Sequence, residues 1–98
     1  MSDAALGTLA ARCRHLESLS LYECPRVSDA GLERAAAARL ARLRWVSVPK
    51  CDGVTRAGLT SLLRSSPSLT RVSCSLSDGD ARLVRAAFPG VRVEVVGD

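Results

Sequence analysis

Short stretches of alternating apolar and polar residues are separated along this chain by longer runs of helix-forming residues. The alternation runs through Leu16-Glu17-Ser18-Leu19-Ser20-Leu21, Leu43-Arg44-Trp45-Val46-Ser47-Val48, Leu69-Thr70-Arg71-Val72-Ser73-Cys74 and Val91-Arg92-Val93-Glu94-Val95-Val96. A period of two marks a strand with one buried side. Leu19 and Leu21, Val46 and Val48, Val72 and Cys74, and Val93 and Val95 are therefore expected to point into a core. Between the strands, Leu32 to Ala41, Leu59 to Arg64 and Ala81 to Ala87 are rich in Ala, Leu and Arg, and Pro67 and Pro89 mark where two of these helices stop. Ser28, Thr55 and Ser77 suit N-cap positions, and Asp29 and Asp78 place negative charge in a first turn, where the helix dipole favours it. Arg56 departs from that rule, at a cost of roughly 0.3–1 kcal/mol.

The elements repeat. Leu16 to Cys24 and Leu43 to Cys51 both read L-x-x-L-x-L-x-x-C, with Cys51 standing 27 positions after Cys24. The following blocks, Pro25 to Leu32 and Asp52 to Leu59, match at the same offset. A third copy starts at Leu69 but runs directly into Leu76-Ser77-Asp78 without the cysteine turn, and Ser2-Asp3-Ala4-Ala5-Leu6 echoes Ser28-Asp29-Ala30-Gly31-Leu32. The expected organisation is one domain over residues 1–98, about three and a half repeats that begin in mid-repeat. Each unit would be a strand, a turn and a helix, and such units bury their apolar sides only by stacking.

The pattern L-x-x-L-x-L-x-x-C followed by C-x-x-[VI]-[ST]-D-x-G-L resembles the cysteine-containing class of leucine-rich repeats over nearly the whole chain. That resemblance implies an α/β fold, a short right-handed solenoid with parallel strands on a concave face and helices on a convex one. The class is typical of F-box/leucine-rich-repeat proteins, the substrate-recognition subunits of cullin-type ubiquitin ligases, and of relatives similar to the antagonist of mitotic exit network protein. Cys13-Arg14-His15-Leu16 and Ser66-Pro67-Ser68-Leu69 are similar to the class's lead-in to a strand. No F-box helices precede the repeats, so within such a receptor this chain would correspond to the C-terminal portion. The order C-x-H-L-E-x-x-S-L and the final alternating strand also resemble mitochondrial ATP synthase coupling factor B. The resemblances imply a non-catalytic interaction scaffold in the cytoplasm or nucleus, with a mitochondrial accessory or assembly protein as the alternative.

Composition sharpens this. Aromatic residues make up 3% of 98 residues against 47% hydrophobic overall, so the core must be thin layers of Leu, Val and Ala. No apolar run is long enough for a membrane span. The formal charge of +4 raises nucleic acid as a partner. Arg34, Arg39, Arg42, Arg64, Arg82 and Arg85 fall mainly on the helical side without interleaved aromatics, which favours a solvated face over a nucleic-acid partner. Cys13, Cys24, Cys51 and Cys74 lack zinc spacing and are expected as packing residues, Cys13 and Cys74 in the core, with no metal and no cofactor. His15, the one histidine, falls in an expected exposed loop, and no catalytic motif accompanies it. The expected protein is not an enzyme.

The outward strand positions form three ladders across neighbouring strands: Ser18, Trp45, Arg71 and Arg92; Ser20, Ser47, Ser73 and Glu94; Tyr22, Pro49, Ser75 and Val96. The sole Trp thus falls at a position expected to face solvent. Aromatic and arginine side chains dominate binding hot spots. Tyr22, Trp45, Ser47, Lys50, Arg71 and Arg92 are accordingly the expected contacts for a protein partner on the concave face. The first strand, Leu16 to Tyr22, has no upstream strand to pair with, and an uncovered edge invites a partner subunit, a further segment or self-association.

Overall fold

A computed structural model describes residues 1–96 of the chain. Helices and strands alternate: α1 (Asp3–Arg12), β1 (Ser18–Ser20), α2 (Asp29–Ala37), β2 (Trp45–Val48), α3 (Arg56–Ser65), β3 (Arg71–Cys74), α4 (Asp78–Ala87) and β4 (Arg92–Val95). The strands form one parallel sheet in the order β1-β2-β3-β4. In register, Leu19 lies beside Val46, Val46 beside Val72 and Val72 beside Val93. The period-two positions therefore line up into one aliphatic row, and that row joins Leu6, Leu32, Leu59 and Leu62 of the helices in a single core. Cross-strand order follows chain order because each strand returns through a helix that packs on its predecessor, α1 on α2, α2 on α3 and α3 on α4.

Ser2, Ser28, Thr55 and Ser77 cap the four helices, each hydroxyl accepting a backbone N–H from the first turn. Two of these caps are themselves held by the preceding helix. Asp3 Oδ1 accepts the Ser28 N–H at 2.7 Å and Oδ2 the Ser28 hydroxyl at 2.6 Å. Asp29 holds Thr55 in the same way, at 2.7 and 2.5 Å. The acid in the first turn thus braces the next cap as well as complementing its own dipole. The hydrogen bonds from Ser28, its hydroxyl before its amide, hold the Asp3 carboxyl below the ordinary aspartate range, against a smaller opposing effect of burial.

The brace needs close approach. A Cβ on Gly58 would stand 2.9 Å from the Asp29 Cα, and one on Gly31 3.2 Å from the Asp3 Cα. At the α3–α4 junction both partners change: Arg56 replaces the bracing acid and Asp80 takes the place corresponding to glycine, with Arg56 Nε 3.4 Å from Asp80 Oδ1. A cleft of about 520 Å³ opens between α3 and α4 at this point.

Four expectations are corrected. The second helix ends at Ala37 rather than Ala41, because Arg39 adopts φ 52° and turns the chain so that Leu40 and Leu43 become fully buried. Val95, expected inward, is 37% exposed, since β4 is the edge strand of the sheet and no layer among the described residues covers it. Cys13, expected in the core, is exposed at the C-cap of α1. Trp45 is half-buried rather than solvent-facing, for a reason given by its neighbours below.

Candidate binding face of the sheet

The side of the sheet opposite the aliphatic row is a set of side-chain ladders set by the strand register. Ser18, Trp45, Arg71 and Arg92 are successive partners in the first ladder, and Ser20, Ser47, Ser73 and Glu94 in the second. Small and large residues alternate here, so exposure is uneven. Ser47 is 8% exposed and Ser73 6%, which makes both a floor between bulkier side chains. The expectation of Ser47 as an accessible contact does not hold.

Trp45 and Arg71 come together, with the guanidinium carbon 5.7 Å from the indole ring centroid. This arginine roof is what keeps the indole out of full solvent contact. Arg71 is held in place by Glu94, whose Oε1 accepts from Arg71 Nε at 2.9 Å, and Arg92 Nε lies 3.5 Å from the same oxygen. One carboxylate therefore sits between two guanidinium groups, leaving net positive charge. The Trp45 Nε1–H is buried and has no hydrogen-bond partner among the described residues. An unpaired buried donor of this kind costs about 1–3 kcal/mol, a cost that a carbonyl or carboxylate brought to it would remove.

Tyr22 and Lys50 form a second group at the C-terminal ends of β1 and β2. Lys50 Nζ stands 5.8 Å from the Tyr22 ring centroid and 3.7 Å from Glu23 Oε1. Glu23 and Lys50 both adopt positive φ, 47° and 56°, at equivalent places in their turns. The Lys50 N–H donates to Ser75 Oγ at 3.0 Å, tying the turn to the third strand's extension. Glu23, Pro25, Lys50 and Asp52 line a recess of about 380 Å³ beside this group.

Five of the six expected contact residues thus lie in two groups, Trp45 with Arg71 and Arg92, and Tyr22 with Lys50. The buried serines separate the groups. Glu94 and Glu23 orient their cations and were absent from the expected set. Glu94 was legible as the rung diagonal to Arg71 across the strand pair and two residues beyond Arg92 on the same face of its own strand, both within reach of long side chains.

The Cys24 thiol donates to the Tyr22 carbonyl at 3.4 Å. Cys51 and Cys74 are buried, and desolvation pushes both thiols upward in pKa, while Cys24 is half-buried and all four cysteines are free. His15 is exposed. Among the described residues no helix is long and apolar enough to cross a membrane. No protein-family model matches the chain, and no curated protein matches it closely enough to count as a relative.

Proposed function

We propose that the chain is a leucine-rich-repeat type interaction module, a short solenoid whose strand face is concave and binds another protein without catalysis. The observation that carries this reading is Trp45: a large aromatic on the open sheet face, roofed by Arg71, with a buried indole N–H that no described residue satisfies. Such a group combines the features of a hot spot, an aromatic anchor beside an arginine in a partly desolvated pocket. Movement of the Arg71 side chain, 53% exposed, would open the indole to a partner's carbonyl. The two guanidinium groups around Glu94 favour an acidic segment of that partner. The role resembles that of substrate-recognition repeats in F-box/leucine-rich-repeat ubiquitin-ligase subunits. The sequence pattern supports that narrower reading, as it does the coupling factor B-like alternative.

Affinity purification with wild-type protein and with Trp45→Ala and Arg71→Ala, each checked for an unchanged melting temperature, tests this. A specific protein partner should be retained by wild type and weakened by about 30-fold or more in Trp45→Ala, the scale of a 2 kcal/mol hot spot. Ligase scaffold components would support the receptor reading, and ATP synthase subunits the accessory one. Capture of RNA that is lost steeply between about 50 and 200 mM salt would replace both with nucleic-acid binding through the arginines.

A further inference from the structure

The two cysteine turns lie side by side in the stack. Beyond β1 and β2 the ladder continues, with the Leu21 N–H donating to the Ser47 carbonyl at 2.7 Å and the Glu23 N–H to the Pro49 carbonyl at 3.2 Å. The register of Ser20 beside Ser47 thus carries forward to Cys24 beside Cys51. Both turns are built alike. A residue at positive φ, Glu23 or Lys50, precedes each cysteine, and each cysteine carbonyl accepts an N–H from three residues on, Val27 at 3.1 Å and Val54 at 2.9 Å. Equivalent places on neighbouring strands stand about 4.8 Å apart, inside the roughly 4.4–6.8 Å between Cα atoms that a disulfide spans.

Side-chain direction decides whether two level thiols meet. Stacked side chains that point the same way stay a strand spacing apart, but the Cys51 Sγ reaches across into the first turn, to 3.9 Å from the Leu21 carbonyl. The Cys24 Sγ bends back over the same strand end, to 3.4 Å from the Tyr22 carbonyl. Sulfurs from two turns therefore converge on two consecutive carbonyls of one strand extension. Burial has the largest effect on the Cys51 thiol, pushing its pKa up, and the next largest come from Cys24, through its backbone N–H and then its thiol.

Exposure gives the two sulfurs different parts. Cys24 is half-buried and open to a small reagent, whereas Cys51 is 5% exposed behind it. A reachable thiol beside a second one that can resolve it is the arrangement that forms disulfides through a sulfenic acid. Neither remaining cysteine shares this geometry. Cys13 is exposed at the C-cap of α1, and the Cys74 thiol turns toward β4, 3.8 Å from the Glu94 carbonyl.

We infer that Cys24 and Cys51 are an oxidative modification site, a thiol pair that a hydroperoxide converts to a disulfide joining the two turns. The Cys24 sulfur, its proton given to water, attacks the peroxide; an S–O bond forms, the O–O bond breaks, and the departing oxygen takes up a proton as water or an alcohol. The Cys51 sulfur then attacks the sulfenic acid. The S–S bond forms, the S–O bond breaks, and the hydroxide released combines with the Cys51 proton as water. Two thiols are oxidised by two electrons in all, and one peroxide is reduced. The bond removes both S–H donors from the Leu21 and Tyr22 carbonyls and fastens the turn of Glu23 to that of Lys50, beside the recess that both line. Neither Trp45 nor Arg71 takes part, so the site stands or falls separately from the binding role of the open face.

Trypsin puts each cysteine on its own peptide, Cys13 in 13–14, Cys24 in 15–26, Cys51 in 51–56 and Cys74 in 72–82. Folded Cys13→Ser protein, freed of its exposed thiol, is treated with hydrogen peroxide, alkylated under unfolding conditions, digested and weighed by mass spectrometry. Two of its three thiols should be lost to alkylation, Cys74 remaining, and peptides 15–26 and 51–56 should appear joined, lighter by two hydrogens than their sum. Wild-type protein should give the same joined pair, and a thiol reductant should separate it. With Cys51→Ser added, Cys24 should halt as a sulfenic acid that a 1,3-diketone captures. With Cys24→Ser instead, Cys51 should stay fully alkylatable. Native protein in which Cys24 is oxidised while Cys51 remains free would overturn the proposal. So would linkage of Cys24 to Cys74 or to a second molecule in preference to Cys51, or three intact thiols under peroxide that oxidises Cys13 of the wild type.

Discussion

Replacing Gly58 with alanine tests whether the aspartate brace fixes the spacing of neighbouring helices. On local grounds alone the change should help, because alanine is favoured over glycine in a helix by up to about 1 kcal/mol. Geometry reverses the sign. The new methyl would stand 2.9 Å from the Asp29 Cα and closer still to its carboxyl, and the Cα belongs to backbone that cannot rotate away. Forcing a methyl into a packed contact costs about 1–3 kcal/mol. Displacing Asp29 would also stretch its bonds to Thr55 at 2.7 and 2.5 Å, each charge-assisted bond worth about 1.5–3 kcal/mol when well made and less at this exposed site. The net expectation for Gly58→Ala is a loss of about 1–3 kcal/mol. Gly79→Ala supplies the control, since a Cβ there meets nothing within 4 Å and should stabilise by about 0.5 kcal/mol. Urea unfolding followed by circular dichroism gives both values from midpoints at constant m. If Gly58→Ala proved as stable as Gly79→Ala, the helices would not be held at the distance described, and the brace would lose its structural role.

Three more outcomes follow from the same contacts. Arg56→Asp should destabilise by setting a second carboxylate against Asp80, whereas Arg56→Asp with Asp80→Gly should recover stability in a double-mutant cycle, because it recreates the acid and glycine pairing of the earlier junctions. Asp3→Asn should cost stability near neutral pH, and the gap from wild type should close on acidification below about pH 4: a depressed folded-state pKa gives stability that is present above the unfolded value and lost as pH falls through the folded one. A thiol reagent applied to native protein should modify Cys13 first and Cys24 more slowly, and reach Cys51 and Cys74 only on unfolding, as mass spectrometry of timed samples will report.

The strands and their register were legible because two constraints act together. Alternation decides which side of a strand is buried, and the recurrence of Cys24 as Cys51 fixes how neighbouring strands align. The N-caps were equally plain, since Ser28, Thr55 and Ser77 precede helix-forming runs. The brace was not, because Asp29 reads locally as a dipole partner and its second role depends on a residue 26 positions away. Exposure was the weaker part of the reading of the candidate face. Register says where Ser47 points, but its burial depends on the size of the surrounding side chains, and Trp45 is half-covered because Arg71 lies over it. Val95 misled for the complementary reason: alternation marks which way a side chain points, and not whether a neighbouring layer covers it, as none among the described residues covers Val95.

The handover of each cap to the acid of the helix before it makes the segment from Ser28 to Val54 a self-consistent cassette. It accepts Asp3 at its entrance, offers Asp29 at its exit and carries Gly31 to admit its predecessor. A tandem duplication of those 27 residues would leave every donor and acceptor of this series matched, so the chain could be lengthened there without redesign. The α3–α4 seam has no such interchangeability, because Arg56 and Asp80 fit only each other.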